Sequence, residues 1–528
     1  MKRFFSIFLI LALCLSLAAC APSAAAADSE DEAAEAEAVT ITLSQNGSRA
    51  DGDGVSVSGS TVTITADGAY RLTGTLTDGQ IVVNAPEAKV TLVLDGADIT
   101  RSGSAAIYVA EADKVILSLA EDSENALTST GAFADAQDSA IDAVIFARDD
   151  LTIKGEGRLT VNSEQGHGIV SKDDLKIKGG EITVKANAKG LSANDELKIS
   201  GGTIAIQSGA DAIHAENSED ASLGNILLED GSVAVISGSD GLDAAGTVTV
   251  TGGTLTIKAV DDGIHADATL SISGGSVTVA ESYEGLEAKV IDISGGSVDV
   301  TASDDGLNAT AGSTSSGGWG FGFGGGRGGE FEAQSGVEVR ISGGSMKVNA
   351  GGDGLDSNGD LTISGGIIYV SGPTNSGNGA LDYNGTGSIT GGTLIAAGSM
   401  GMAQSLTPNG NQGVILLNLS SVQSGGTIVT VEDEKGNVIC SFTPEKYYQS
   451  LVISAPELEN GGTYTIRCGS VSETVTLSSL SYSNGGGMMG GFGGGQGGPG
   501  QGGIGGGQGG PGQGGFGGGP GGGRGGWS

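Results

Sequence analysis

A short internal repeat is the feature that most restricts how this chain of 528 residues can fold. Each unit contains Gly-Gly, a run in which aliphatic and polar residues alternate, and then an acidic residue before Gly, as in DDGIHAD at 261–267. The Gly-Gly pairs begin at 179, 201, 252, 274, 295, 343, 365 and 391, and the simple steps are 21 or 22 residues. Because so short a unit cannot bury an apolar face alone, successive units must stack.

The pattern inside each unit predicts strands rather than helices. Two or three runs alternate with period two, and glycine or Asp-Gly separates them, which is typical of short strands joined by tight turns. We therefore predict an all-β fold, a right-handed parallel β-helix with about 22 residues per coil, over residues 39–405. Leucine-rich repeats have a similar length, but their Leu/Asn signature is missing here. A β-propeller requires a period of about 40 residues.

The N-terminus predicts a secreted lipoprotein. The charged MKR, an apolar run and LAAC at 17–20 form a lipoprotein signal peptide at 1–19, with lipidation of Cys20. Residues 20–38 form an acidic, Ala-rich tether. We expect an extracytoplasmic protein that is anchored to the cell membrane. The alternatives are an ordinary signal peptide or a short membrane helix.

The repeat is lost in the C-terminal part of the chain. Residues 406–483 have longer strand patterns and ordinary hairpin turns, which predict a small antiparallel β unit that caps the β-helix. In this unit Cys440 and Cys468 favour a disulfide, because the location permits oxidation. The Gly-rich tail at 484–528 and the similar insertion at 312–329 are expected to be disordered.

The charge balance restricts the partners. A formal net charge of −37 argues against binding to nucleic acid or to anionic membrane surfaces, and favours cations or a cationic partner. Acidity also confers solubility without any partner. We expect a monomer whose membrane contact is the lipid on Cys20.

Stacking places equivalent acidic side chains of successive repeats ~4.8 Å apart. Two carboxylates at that spacing repel by ~1 kcal/mol in water and by a few times more near a protein surface. A cation between them removes this cost, and oxygen ligands without thiolates favour calcium. The alternative is that Asp precedes Gly only because it suits a turn. The candidate calcium ligands are Asp211, Asp240, Asp243, Asp261, Asp262, Asp304, Asp305, Asp353 and Asp356.

One aliphatic residue of each repeat aligns in a column, in which Ile107, Ile141 and Ile169 are successive members. The position after this aliphatic residue is predicted to point outward, and the outward column then reads Tyr108, Asp142, Val170, Ser192, His214, Asp243, His265, Glu287, Asn308, Asp356 and Asp382. His214 and His265 both occupy this column, with Asp243 in the repeat between them. A zinc site lacks adjacent ligands here, so we favour a polar surface or a ligand contact for the histidines.

The segments DDLTIKGEGRLTV and HGIVSKDDLKIKGG, within residues 140–180, resemble the bacterial carbohydrate-binding-domain family of calcium-containing parallel β-helix proteins. That family is related in structure to pectate lyases, and the resemblance extends over roughly residues 40–480. It implies a polysaccharide ligand, cellulose-like or acidic such as polygalacturonate, with calcium helping to recognise acidic sugars. Tyr283, His265 and Trp319 are the candidate carbohydrate contacts.

Binding without catalysis is the function that we expect, with no catalytic residues assigned. A polysaccharide lyase or hydrolase on the same fold is one alternative, since fold does not fix function. The lyase patterns WIDH and RxPxxR are absent, and arginine is nearly missing from the regular repeats. The other alternative is a structural adhesin of the cell wall that uses the Gly-rich tail.

Overall fold

The computed structural model describes residue 35 and residues 37–135, 138–311 and 332–485. Every element assigned in these residues is a β-strand, so the prediction of an all-β fold is confirmed. Within the same residues, no helix has the length and apolar character needed to cross a membrane. The signal peptide with Cys20, most of the tether, the insertion with Trp319 and nearly all of the Gly-rich tail lie outside the described residues.

The strands before the regular repeats are β1 (Val39–Ser44), β2 (Arg49–Ala50), β3 (Val55–Ser58), β4 (Thr61–Ile64), β5 (Gly68–Leu76), β6 (Gln80–Asn84), β7 (Lys89–Ser102), β8 (Ile107–Glu111), β9 (Lys114–Leu119) and β10 (Glu124–Thr130). The strands of the repeats are β11 (Ala143–Ala147), β12 (Asp150–Gly155), β13 (Arg158–Ser163), β14 (His167–Ser171), β15 (Leu175–Ile177), β16 (Glu181–Ala186), β17 (Leu191–Ala193), β18 (Glu196–Ser208), β19 (Ile213–Ala215), β20 (Asn225–Ile236), β21 (Leu242–Ala244), β22 (Thr247–Val250), β23 (Thr254–Lys258), β24 (Ile264–Ile272), β25 (Ser276–Glu281), β26 (Leu286–Ile293), β27 (Ser297–Ala302), β28 (Leu307–Ala309), β29 (Glu338–Ile341), β30 (Ser345–Ala350), β31 (Leu355–Ser357), β32 (Asp360–Ile363), β33 (Ile367–Ser371), β34 (Leu381–Tyr383), β35 (Gly387–Ile389), β36 (Thr393–Gly398) and β37 (Thr407–Pro408). The last strands are β38 (Val414–Gln423), β39 (Val429–Glu432), β40 (Val438–Phe442), β41 (Tyr448–Ser454), β42 (Thr463–Cys468), β43 (Val471–Thr476) and β44 (Ser481–Ser483).

Successive repeats pair in parallel, so that each repeat contributes to three ladders. The first ladder runs through β14, β17, β19, β21, β24, β26, β28, β31 and β34. The second contains β22, the C-terminal half of β24 and of β26, and then β29 and β32. The third contains β23, β25, β27, β30, β33 and β36. Aliphatic residues from all three ladders pack into one continuous core.

Strand alternation decides which residues enter this core. In DDGIHAD, Ile264 and Ala266 have no exposed surface, whereas His265 between them is half-buried on the outer face. The Gly-Gly pairs make the turns between the second and third ladders. Gly275 has a φ of +74°, and a Cβ on Gly274 would lie 2.2 Å from the carbonyl oxygen of Thr251 in the preceding repeat. Glycine is therefore required at both positions.

One register was predicted incorrectly. Ile107 of β8 pairs with Ile145 of β11, and not with Ile141 as the repeat alignment suggested. The two positions differ by four residues, which leaves a strand's inward and outward faces unchanged, so alternation could not distinguish them. As a result Phe146, and not Asp142, occupies the outward column, where it is fully buried.

Residues 406–483 divide between two sheets. Strands β41 and β38 extend the large sheet, because β41 pairs in antiparallel fashion with β36 and with β38. A separate antiparallel sheet has the strand order β40-β39-β42-β43, and its apolar residues form one cluster with apolar residues of β36, β38 and β41. Tyr369 of β33 stacks on Phe442 of β40 with ring centroids 4.9 Å apart, which joins this cluster to the repeats.

The predicted disulfide between Cys440 and Cys468 is wrong. Both cysteines are buried free thiols. Cys440 pairs with Val431 and Cys468 with Val429, on opposite sides of β39. Two strand spacings of about 4.8 Å therefore separate their backbones. A disulfide requires Cα atoms within about 7 Å of each other.

Candidate cation and glycan site on the acidic face

The outward column of the first ladder is rich in polar and acidic residues. Pairing of β19, β21, β24, β26, β28, β31 and β34 stacks the side chains of His214, Asp243, His265, Glu287, Asn308, Asp356 and Asp382. The order predicted from the sequence for these seven residues is confirmed.

A second column lies in the turn before the first ladder. It contains Asp211, Asp240, Asp262, Glu284, Asp305 and Asp353. The carbonyl of each turn acid accepts a hydrogen bond from the repeat below, as in Gly241 N to Asp262 O at 2.9 Å and Gly263 N to Glu284 O at 2.9 Å. We call the two columns together the acidic face.

Some of the turn acids also have a structural role. The backbone N–H of Asp262 donates to Asp240 Oδ1 at 2.8 Å, and that of Asp353 donates to Asp305 Oδ1 at 2.6 Å. One carboxylate oxygen thus satisfies the turn of the next repeat. These hydrogen bonds support the alternative that Asp precedes Gly because it suits a turn. They leave the second oxygen of each carboxylate available for another ligand.

The densest group of acids spans three successive repeats. Asp240, Asp261 and Asp262 bring carboxylate oxygens within 4.8 Å of one another, and so do Asp262, Glu284 and Glu287. The two groups share Asp262, and we call these residues the five-carboxylate cluster. Glu284 and Glu287 were not among the predicted ligands. Their signal in the sequence was EGLEA at 284–288, in which Glu replaces Asp at both columns.

Three members of the cluster have raised pKa values. Burial, reinforced by the charges of Glu284 and Asp240, raises the pKa of Asp262 to about 7. Burial and the neighbouring Glu284 raise the pKa of Glu287 to about 9. Burial also raises the pKa of Asp240 to about 6. Protons or cations must therefore offset the mutual repulsion near neutral pH.

Three acids farther along the acidic face, Asp305, Asp353 and Asp356, also have raised pKa values. Burial, followed by the charge of neighbouring acids, raises the pKa of Asp305 to about 7 and that of Asp356 to about 8. Burial raises the pKa of Asp353 to about 6, with Asp382 contributing. Among the described residues, however, these acids form no group of three as close as the five-carboxylate cluster.

Asp243 has a different environment. Its Oδ2 lies 2.9 Å from His214 Nδ1 and its Oδ1 lies 2.9 Å from His265 Nδ1. Burial alone would raise its pKa, but hydrogen bonds from the two imidazoles hold that pKa well below the ordinary value. The structure thus places Asp243 between two histidines, and one of these, His265, also lies 4.0 Å from Glu287 of the five-carboxylate cluster. Asp211 lies 3.5 Å from His214 Nδ1 and 3.5 Å from Lys189 Nζ.

Tyr283 lies beside the five-carboxylate cluster. Its N–H donates to the Asp261 carbonyl at 2.7 Å, and its own carbonyl accepts from Asp304 N at 2.9 Å. The side chain is 48% exposed. A hydrogen bond to the Asp304 carboxylate, together with the charge of that group, raises the pKa of Tyr283 to about 12. An exposed ring here is suited to stacking on a sugar.

A second acidic group, not predicted from the sequence, contains Asp150, Asp173 and Asp174. The doubled acids in ARDD and SKDD were the available signal. Lys176 forms a 2.6 Å ion pair with Asp174, so this group is partly neutralised by the chain itself.

The donor set of the five-carboxylate cluster fits calcium. All of its ligand atoms are carboxylate oxygens, which hard divalent cations prefer. Two oxygens on opposite sides of a calcium ion are about 4.6–5.2 Å apart, twice the usual bond length. Within each group of three acids, one carboxylate oxygen from each residue lies within 4.8 Å of the other two. Little rearrangement is therefore needed for an ion to enter.

Parts of this chain are similar to known proteins. Residues 58–318 match the model of the family described as "Carbohydrate-binding domain-containing protein". A relative of that description from Acetivibrio thermocellus is 49% identical over 125 residues, 23% of this chain. The match covers 44% of that relative, less than half its length. A polysaccharide lyase-like protein from C. thermocellum, solved as a gadolinium derivative, is 38% identical, with a TM-score of 0.40, over 48% of this chain and 93% of its own. Over residues 58–318, which contain the five-carboxylate cluster, the chain is similar to the carbohydrate-binding-domain family.

Proposed function

We propose that this protein binds an acidic polysaccharide through calcium held on the acidic face. The observation that carries this proposal is the five-carboxylate cluster, which lies within the residues that match the carbohydrate-binding-domain family. Carboxylates that converge in this way repel one another, and a cation among them removes that repulsion.

We also propose that the three ladders form a right-handed parallel β-helix. Parallel pairing between successive repeats, short turns and one continuous apolar core support this architecture. In such a fold, the outward columns form a straight surface along the stacking direction. An extended polysaccharide chain could contact several repeats along that surface at once.

In this proposal, Asp240, Asp261, Asp262, Glu284 and Glu287 hold calcium. Bound calcium would supply positive charge, which bridges the protein carboxylates to the carboxylates of uronate sugars. The bridge is needed because a protein with a net charge of −37 repels an anionic polymer. Tyr283 borders the cluster, and we propose that its exposed ring contacts a sugar face. Trp319 remains a proposed further contact.

We propose that the protein acts outside the cytoplasm, attached to the membrane by lipid on Cys20. The supporting observation is the signal sequence with its LAAC motif. The acidic segment after Cys20 would then separate the binding domain from the membrane. Its negative charge would keep the segment itself from binding to an anionic membrane surface.

Binding of the protein to polygalacturonate and to cellulose, in calcium and in chelator, tests the proposal. We expect polygalacturonate to be retained in calcium and released by chelator. Asp262→Asn should reduce this retention at least tenfold. Asp299→Asn is the matched control, because it removes the same charge from an exposed site on the third ladder. Equal retention with calcium and chelator would contradict the proposal. Formation of unsaturated sugars, measured by ultraviolet absorbance, would instead indicate a lyase.

A further inference from the structure

A cleft of about 720 Å³ lies between the final repeats and the C-terminal strands. Turn residues around Asn375 and Met400 form one wall. Val422 at the end of β38, Tyr447 just before β41 and Gln449 on β41 form the other. This cleft lies outside residues 58–318, which match the family model, and none of its lining residues belongs to the acidic face.

Apolar side chains are left exposed at this cleft. Met400 is 44% exposed, Tyr447 is 54% exposed and Val422 is 56% exposed. Strand alternation explains the orientation of Tyr447. The next residue, Tyr448, is 2% exposed in the core and donates its hydroxyl to the Thr427 carbonyl at 3.1 Å. Large apolar groups that gather at one concave surface indicate a binding site.

Polar groups next to these apolar side chains are held in fixed positions. The Asn375 Oδ1 accepts from Gly377 N at 2.9 Å, which leaves its amide N–H groups to donate. The Gln449 Nε2 donates to the Leu419 carbonyl at 3.1 Å, which leaves its Oε1 to accept. Thr374 adds a hydroxyl to the same lining. Such a set can bond the donor and acceptor faces of sugar hydroxyls without rearranging.

The lining contains no charged residue, although the chain has 62 acidic and 25 basic residues. The nearby Glu445 is held by Asn349, at 2.8 Å, and by Lys347. An uncharged lining discriminates against ionic ligands, because a ligand charge would be desolvated there without a partner. The ligand that fits this lining is uncharged, rich in hydroxyls and flat enough to stack on a tyrosine ring.

We infer that this cleft is a second glycan site, which binds a neutral oligosaccharide without calcium. A ligand pocket of about 300–1,000 Å³ holds a small molecule, and this cleft is in that range. The chain then carries two sites of opposite preference: an acidic face for anionic polymer and an uncharged cleft for neutral polymer.

Calorimetric titration of the full chain with cellohexaose in chelator tests the inference. We expect binding by the unaltered protein, at least tenfold weaker binding by Tyr447→Ala, and near-normal binding by Tyr447→Phe, which keeps the ring. Ile236→Ala is the matched control, because it removes an apolar side chain that is 55% exposed on β20, outside both the cleft and the acidic face. It should leave cellohexaose binding unchanged.

Two results would overturn the inference: failure of the unaltered protein to bind cellohexaose, or unchanged binding by Tyr447→Ala. Neither result bears on the acidic face. Conversely, loss of calcium-dependent binding to polygalacturonate would leave the cleft unaffected, so the two proposals fail separately.

Discussion

His265 and Asp243 lie in successive repeats, and their Nδ1 and Oδ1 atoms are 2.9 Å apart. His214 contacts the other oxygen of Asp243 from the repeat on the opposite side. This arrangement divides the acidic face into two parts. In one part, the carboxylate of Asp243 is paired with two imidazoles of the chain. In the other, the five-carboxylate cluster, His265 Nε2 lies 4.0 Å from Glu287 Oε1 and offsets part of the negative charge, so that protons or an added cation are needed as well.

The pair of His265 and Asp243 should make stability depend on pH in a defined direction. The hydrogen bond to Asp243 raises the pKa of His265 to about 9, above the ordinary 6.5. The pair therefore stabilises the folded state fully below pH 6.5, and this contribution is lost as pH rises through about 9. We expect His265→Ala to lower the free energy of unfolding by about 1.5–3 kcal/mol at pH 5.5. Urea unfolding at pH 5.5 and 9.5 measures the difference, and an equal loss at both pH values would contradict the assignment.

The five-carboxylate cluster should give calcium binding that competes with protons. The pKa of Asp262 is raised to about 7 and that of Glu287 to about 9, so the folded state holds protons near neutral pH. Without calcium, stability should fall as pH rises from about 4 to 9, because the folded state then binds more protons than the unfolded chain. We expect calcium affinity to increase from pH 6 to 8, with protons released on binding. Calorimetry in buffers of different ionisation enthalpy detects that release, and pH-independent affinity would refute the prediction.

The substitution Glu287→Gln should distinguish the effect of charge repulsion within the cluster from the effect of calcium binding. The substitution removes one negative charge from the cluster while keeping the side-chain size. In chelator at pH 9.5 we expect a higher melting temperature than that of the unaltered protein, and in calcium a smaller rise in melting temperature. Asp299→Asn should change neither comparison. A lower melting temperature in chelator would show that Glu287 stabilises the fold by its charge.

The free thiols can be tested directly. Burial raises the pKa of Cys440 to about 12, so the reactive thiolate is scarce. We expect no modification of Cys440 or Cys468 by iodoacetamide in the folded protein, and two modifications after denaturation without a reductant. Modification that appears only after reduction would instead show a disulfide. Mass spectrometry distinguishes the two results.

Most of the fold could be predicted from the repeat period. Alternation with period two predicted that Ile264 and Ala266 face the core and that His265 faces out, and the paired strands agree. The same alternation could not fix the register at Ile141, because a shift of four residues preserves both faces. It also gave no strand order for the C-terminal sheet. For that reason the sequence did not show that Cys440 and Cys468 lie on either side of β39, where no disulfide can form.

The candidate sites were only partly accessible from the sequence. Stacking predicted the two columns, but the distances between side chains in them depend on side-chain length. Glu287 therefore joins the five-carboxylate cluster, whereas Asp243 pairs with imidazoles. The uncharged cleft around Tyr447 joins segments from separate parts of the chain, and no local pattern marks it.

An equilibrium titration of the protein with calcium at pH 8 tests whether the five-carboxylate cluster holds this ion. Asp262 belongs to both groups of the cluster. We predict saturable calcium binding whose affinity falls at least tenfold in Asp262→Asn and is unchanged in Asp299→Asn. Equal calcium binding by all three proteins, or no saturable binding by the unaltered protein, would contradict it.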